Sequence, residues 1–164
     1  MKKGLAAIFA ISMIAGIAAA NDSHGFGPEG GFIVGSDGTV YLSTTTVASG
    51  AATTSVKAIR ATGTIAWTAT VTGRGDFLLS DGNLLSVSES KTNGTVTSVI
   101  TAISTASGAT AWTHNLNGRI VELHPFTNGT YAITVVPPPT TGGTATRNLT
   151  AIGNDGSTLW TLAL

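Results

Sequence analysis

Three histidines, eight acids and no cysteine are the residues from which any chemistry in this 164-residue chain would have to be built. His24, His114 and His124 lack the i, i+2 or i, i+4 spacing that aims two imidazoles at one metal, so scattered surface histidines are the plainer reading. The acids (Asp22, Glu29, Asp37, Asp76, Asp81, Glu89, Glu122 and Asp155) are equally dispersed. Asp37-Gly38, Asp81-Gly82 and Asn128-Gly129 each offer one side-chain oxygen where a calcium loop needs several, and they read as turns. Serines are plentiful, but no Gly-x-Ser-x-Gly elbow occurs. Without cysteine there is no thiolate nucleophile, disulfide, Cys-zinc or iron–sulfur site. Arg74-Gly75-Asp76 spells the tripeptide read by animal integrins, but a blade-connecting turn is the plainer reading. Asn93-Gly94-Thr95, Asn128-Gly129-Thr130 and Asn148-Leu149-Thr150 match the glycosylation pattern, as turn asparagines do in a Thr-rich chain. No enzyme, metal site or cofactor is expected.

Composition narrows the class further. Eight Lys+Arg against eight Asp+Glu leave no basic footprint for nucleic acid. With 28 Thr and 21 Gly the chain is rich in a strand former and in the residue that makes turns, which favours an all-β fold.

The first twenty residues read as a secretory signal peptide. Met1-Lys2-Lys3 is followed by an apolar run to about residue 17, and Ala18-Ala19-Ala20 supplies the small residues of a cleavage site after Ala20. A membrane anchor is the alternative, but the run is shorter than the roughly 20 residues a spanning helix needs. The expected location is periplasmic or extracellular, with no membrane span after cleavage. Residues 21–31 read as a flexible leader.

The remainder, 32–164, is three copies of one unit. Trp67, Trp112 and Trp160 each follow a glycine by four residues: Gly63, Gly108 and Gly156. An Ala-Ile pair precedes each glycine (Ala58-Ile59, Ala102-Ile103, Ala151-Ile152), and a turn dipeptide with a strand-like run precedes that pair. Gly73-Arg74 and Gly118-Arg119 punctuate the junctions, giving units of about 32–71, 75–116 and 120–164. Each unit divides into four short strands, in the first copy at 32–36, 39–46, 55–61 and 64–71. A tight Asp-Gly or Asn-Gly hairpin is expected between the first two strands. A longer variable loop is expected between the second and third, containing VASGAATT, ESKTNGTVT and PPPTTGGTATR in turn. Four-stranded antiparallel sheets recurring at this period are the sequence form of a β-propeller blade.

Gly-x-x-x-Trp preceded by Ala-Ile resembles the repeats of PQQ-type β-propellers, the family of quinoprotein alcohol dehydrogenases and of an outer-membrane assembly factor. The second copy fits best, although Ser104 stands where the family usually has Asp. Copies one and three are a residue shorter between Ala and Gly. The resemblance implies that Trp67, Trp112 and Trp160 pack between neighbouring blades. It also implies a metal and quinone site that this chain lacks the residues to build.

Family rings close with six to eight blades, and three blades leave inter-blade faces uncovered at both ends. The expected function is therefore a non-enzymatic scaffold for protein interaction. Its partner is a second copy, as a homodimer with C2 symmetry and six blades, or another protein. The alternatives are a structural or adhesive surface protein assembling as an open array, and a remnant of a quinoprotein dehydrogenase. Varying strand-two-to-three loops are where binding is expected. Pro137, Pro138 and Pro139 stiffen the third of them, either as a partner-docking ridge or as edge protection.

Overall fold

The computed structural model describes residues 31–49, 51–73, 76–138 and 143–164. The signal peptide, almost all of the leader, Arg74-Gly75 and Pro139 lie outside the described residues.

Twelve strands alternate with turns, and the described residues contain no helix. The first sheet is β1 (Phe32–Val34), β2 (Val40–Ala48), β3 (Ala51–Ile59) and β4 (Ile65–Thr72). The second is β5 (Asp76–Ser80), β6 (Asn83–Thr92), β7 (Thr95–Ser104) and β8 (Thr110–Asn117). The third is β9 (Arg119–Phe126), β10 (Gly129–Val136), β11 (Thr146–Gly153) and β12 (Thr158–Ala163). Each sheet is an antiparallel meander in chain order, and none closes into a barrel. The protein is all-β, with three four-stranded antiparallel blades arranged as a partial, propeller-like ring.

The turns depart from expectation in informative ways. Asp81 and Gly82, both at positive φ, close the β5–β6 hairpin between paired Ser80 and Asn83, as the dipeptide suggested. In the third blade the turn slips back by one residue. Phe126 pairs with Gly129, so Thr127-Asn128 forms the turn, and Asn128 takes the left-handed φ of 71°. In the first blade a wider turn, closed by Gly35 N–H donating to Thr39 O, replaces the tight hairpin.

The long loops expected between second and third strands are absent from two blades. β2 and β3 remain paired until Ala48 meets Ala51, and β6 and β7 until Thr92 meets Thr95. Only the third blade opens early, beyond the Val136–Thr146 pair. Thr, Ser and Val are strand formers, and at these outer ends the β2–β3 and β6–β7 ribbons are largely exposed. The alternation that normally advertises a strand is therefore missing, although the backbone pairs in full.

The core lies between the sheets. One apolar cluster joins Tyr41, Val56, Ala58 and Val71 of the first blade to Phe77, Leu84 and Ile103 of the second. A second cluster joins Leu85, Ile100, Ala102 and Leu116 of the second blade to Ala132 and Ile152 of the third. Each blade thus buries its face only by lending it to the next. Buried hydroxyls reinforce the junctions. Thr54 Oγ1 donates to Gly73 O at 2.8 Å and Ser98 Oγ to Gly118 O at 2.8 Å, the same position in the two copies.

Candidate functional site

The repeated signature resolves into one structural device. In every blade the alanine of the Ala-Ile pair lies directly opposite the tryptophan: Ala58 with Trp67, Ala102 with Trp112, Ala151 with Trp160. The three alanines are fully buried, because a small side chain leaves room for the indole across the strand. A β-bulge recurs at the same point in all three blades, inserting one residue (Ala66, Ala111 or Leu159) just before the tryptophan. Such a bulge bends the strand and re-aims the side chain that follows.

That aim is towards the glycine of the next blade. A Cβ built on Gly108 would lie 2.7 Å from the Trp67 ring, and one on Gly156 would lie 2.9 Å from Trp112. Only a residue without a side chain admits the indole there, and both glycines also carry positive φ. Trp67 Nε1 donates to Thr105 O at 2.8 Å, in the loop that leads to Gly108. Tyr41 stands beside Trp67, with ring centroids 5.8 Å apart. Burial pushes the Tyr41 phenol above its ordinary range, partly offset by a hydrogen bond with Thr105. The loop before Gly156 is one residue shorter, and Trp112 Nε1 is buried without a protein acceptor. His114 compensates in part across that interface, its Nδ1 donating to Gly156 O at 2.8 Å.

The series breaks at both ends. Gly63 has the same left-handed φ, 81°, but no atom within 4 Å of where a Cβ would sit. Trp160 is 44% exposed and stacks only on its own blade, through Tyr131 to Phe126. The surrounding faces follow suit. Phe77 is 5% exposed inside the stack, whereas its equivalent Phe32 is 63% exposed; Leu116 is 8% exposed and its equivalent Leu164 62%. Phe32, Val34, Val40, Leu42, Ile59 and Ile65 share one face of the first blade by register. Trp160, Leu162 and Leu164 share the opposite-facing side of the third. These two faces are the candidate functional site.

The other sequence candidates do not converge. Among the described residues no three His, Asp or Glu side chains meet in a way that would hold a metal ion. His124 lies 3.2 Å from Glu122 on β9 of the third blade, whereas His114 is on β8 of the second, where it bonds Gly156. Pro137 and Pro138 follow β10 at the mouth of the third blade's long connection. Arg119 pairs with Glu89 at 3.1 Å across the second junction, an exposed contact of small energetic weight. His24 lies outside the described residues.

Sequence reasoning did not single out Asp81 as a junction residue. Its Oδ2 accepts from the Asn154 side chain at 2.9 Å and from Asn128 N–H at 2.7 Å, tying the second blade's hairpin to two turns of the third. Those two bonds, the Asn154 one foremost, hold its carboxyl below the ordinary 3.8. A depressed folded pKa contributes stability that is complete above the unfolded value and lost as pH falls through the folded one. Asp81→Asn keeps the left-handed tolerance of the position but cannot titrate. The melting-temperature advantage of wild type over this variant is expected at pH 6 and should shrink as the pH is lowered below the ordinary carboxylate value. An advantage independent of pH in thermal melts would contradict the assignment.

No family model matches the chain, and no curated protein matches it in sequence. The fold defines the class: a β-propeller-like protein of three blades whose end faces are apolar and uncovered among the described residues. No helix among those residues is long and apolar enough to cross a membrane.

Proposed function

We propose that this protein is an exported, non-enzymatic interaction scaffold of the PQQ-repeat kind that works by self-association. The observation that carries the reading is the pair of bare end faces. Internally the same positions are covered by a neighbouring blade, and exposed apolar area of this extent marks an association surface. Two copies sharing one axis supply six blades, the smallest number with which the resembling family closes a ring. The signal-like first twenty residues support a location in the periplasm or outside the cell. Pro137 and Pro138 then form a stiff ridge after β10 where another protein can dock.

A structural or adhesive array is the second reading, favoured by one observation. The two end faces differ from each other, and contacts between unlike surfaces propagate as filaments when the rotation does not close.

The test is the intact mass and solution mass of the exported protein. Loss of residues 1–20 with a discrete dimer by light scattering is the expected result. A strict monomer at micromolar concentration would remove self-association from the reading, and a retained N-terminus would remove the export step. Fibres by negative stain would favour the array.

A further inference from the structure

The two bare faces are complementary halves of a contact that the protein already makes twice. Inside the chain, the tryptophan of one blade rests on the glycine of the following blade: Trp67 on Gly108, Trp112 on Gly156. Among the described residues, Gly63 is a glycine of that series with no indole on it, and Trp160 is an indole with no glycine under it. From these we infer a head-to-tail joint in which the third blade of one copy packs on the first blade of another, with Trp160 seated against the Gly63 turn of the second copy. This rests on the self-association reading above and assigns its geometry and polarity.

Residue choice at equivalent positions favours the joint over solvation. Leu42 occupies the place of Ser86 and Ala132, and Ile65 that of Thr110 and Thr158, so at these two positions the first blade's outer face is more apolar than the equivalent faces buried within the stack, whereas Lys57 stands where Thr101 and Thr150 stand. On the third blade, Leu162 stands where Ala69 and His114 stand, although His124 stands where Ile33 and Leu78 do. The apolar side chains gained at exposed positions favour a cover. The cover is specified by the interfaces already present, because the first-to-second and second-to-third joints continue by the same rule into a third-to-first joint.

The polarity has consequences that a symmetric face-to-face pairing lacks. If like faces met, only one of the two would be used, and changes to the other would be silent. In a head-to-tail joint both are needed. Gly63→Asn tolerates positive φ but places a Cβ where the indole must lie. Leu162→Glu puts a charge on the other face without touching the Trp160–Tyr131 stack, and Trp160→Ser removes the indole itself. Each variant is measured by light scattering and sedimentation over a concentration series, with circular dichroism and a melting curve to show that the blades are folded.

Each single change is expected to weaken association at least about tenfold, as loss of a central aromatic anchor does. Mixing Gly63→Asn with Leu162→Glu is expected to restore a heterodimer, because one intact joint remains between the head of one and the tail of the other. Wild-type fluorescence should shift to the blue with concentration as Trp160 is covered. The inference is overturned if wild type associates but one of the Gly63 and Leu162 variants associates as well as wild type does, or if the mixture stays monomeric. Those results leave self-association intact, whereas a monomeric wild type removes the underlying reading.

Discussion

Trp67→Ala is expected to cost about 3–5 kcal/mol, the range for deleting a large aromatic from a packed interior. Trp67 lies in the first inter-blade cluster, touches the Gly108 turn, and leans on Tyr41. Its removal opens a gap in the one cluster that joins the first sheet to the second. The conservative replacements separate packing from hydrogen bonding. Trp67→Phe loses the 2.8 Å bond to Thr105 O and strands that carbonyl, whereas Trp112→Phe removes an Nε1 that is buried without a protein acceptor. Trp67→Phe should therefore cost about 1–2 kcal/mol more than Trp112→Phe. Urea unfolding of the three variants at one dilute concentration makes the comparison. Equal costs for the two Phe variants would show that the Thr105 bond adds nothing to stability.

Gly108→Ala is expected to be nearly as damaging, through the opposite fault. At φ 75° any Cβ brings left-handed strain, about 1–2 kcal/mol. Here the new methyl would also lie 2.7 Å from the Trp67 ring, and overpacking of that kind adds about 1–3 kcal/mol. Gly63→Ala is the internal control, since it has the same conformation (φ 81°) in open space. Only the strain component is expected for it at concentrations where the chain is monomeric. The difference between the two variants in equilibrium unfolding measures the indole contact alone. A Gly63→Ala cost that grows with protein concentration would be a second sign that Gly63 acquires a tryptophan from another copy.

Much of the fold was legible in the chain because the repeat is written in residues with few substitutes. A glycine is needed where an indole touches backbone at positive φ, and an alanine where the same indole crosses the neighbouring strand. Trp67, Gly108 and Ala102 are therefore conspicuous, and the strands between them can be placed to within a few residues. The outer hairpins were misread for an equally physical reason. Residues 47–54 and 89–97 look like loops because the described side chains of those ribbons are mostly solvated, so no apolar alternation survives. Backbone pairing does not require it. The Asn128 turn was displaced by one residue because Asn and Gly both accept a left-handed conformation, and sequence cannot say which of two adjacent candidates takes it. Thr54 and Ser98 carried a usable signal, each lying four residues before the buried alanine, whereas Asp81 carried none, since its partners Asn128 and Asn154 belong to another blade.

Class, blade count, strand order and the absence of thiol chemistry follow from local patterns: spacing, turn residues and composition act over a few residues and are visible in one dimension. Polarity is different. Whether Trp67 meets Gly63 of its own blade or Gly108 of the next depends on the bulge that turns the indole outward and on the direction in which successive sheets stack. Both are properties of packed sheets, where burial and not propensity selects the arrangement. The tertiary structure alone therefore decided that Trp160 and Gly63 are left without their counterparts among the described residues, and that they lie on the outward faces of the third and first blades.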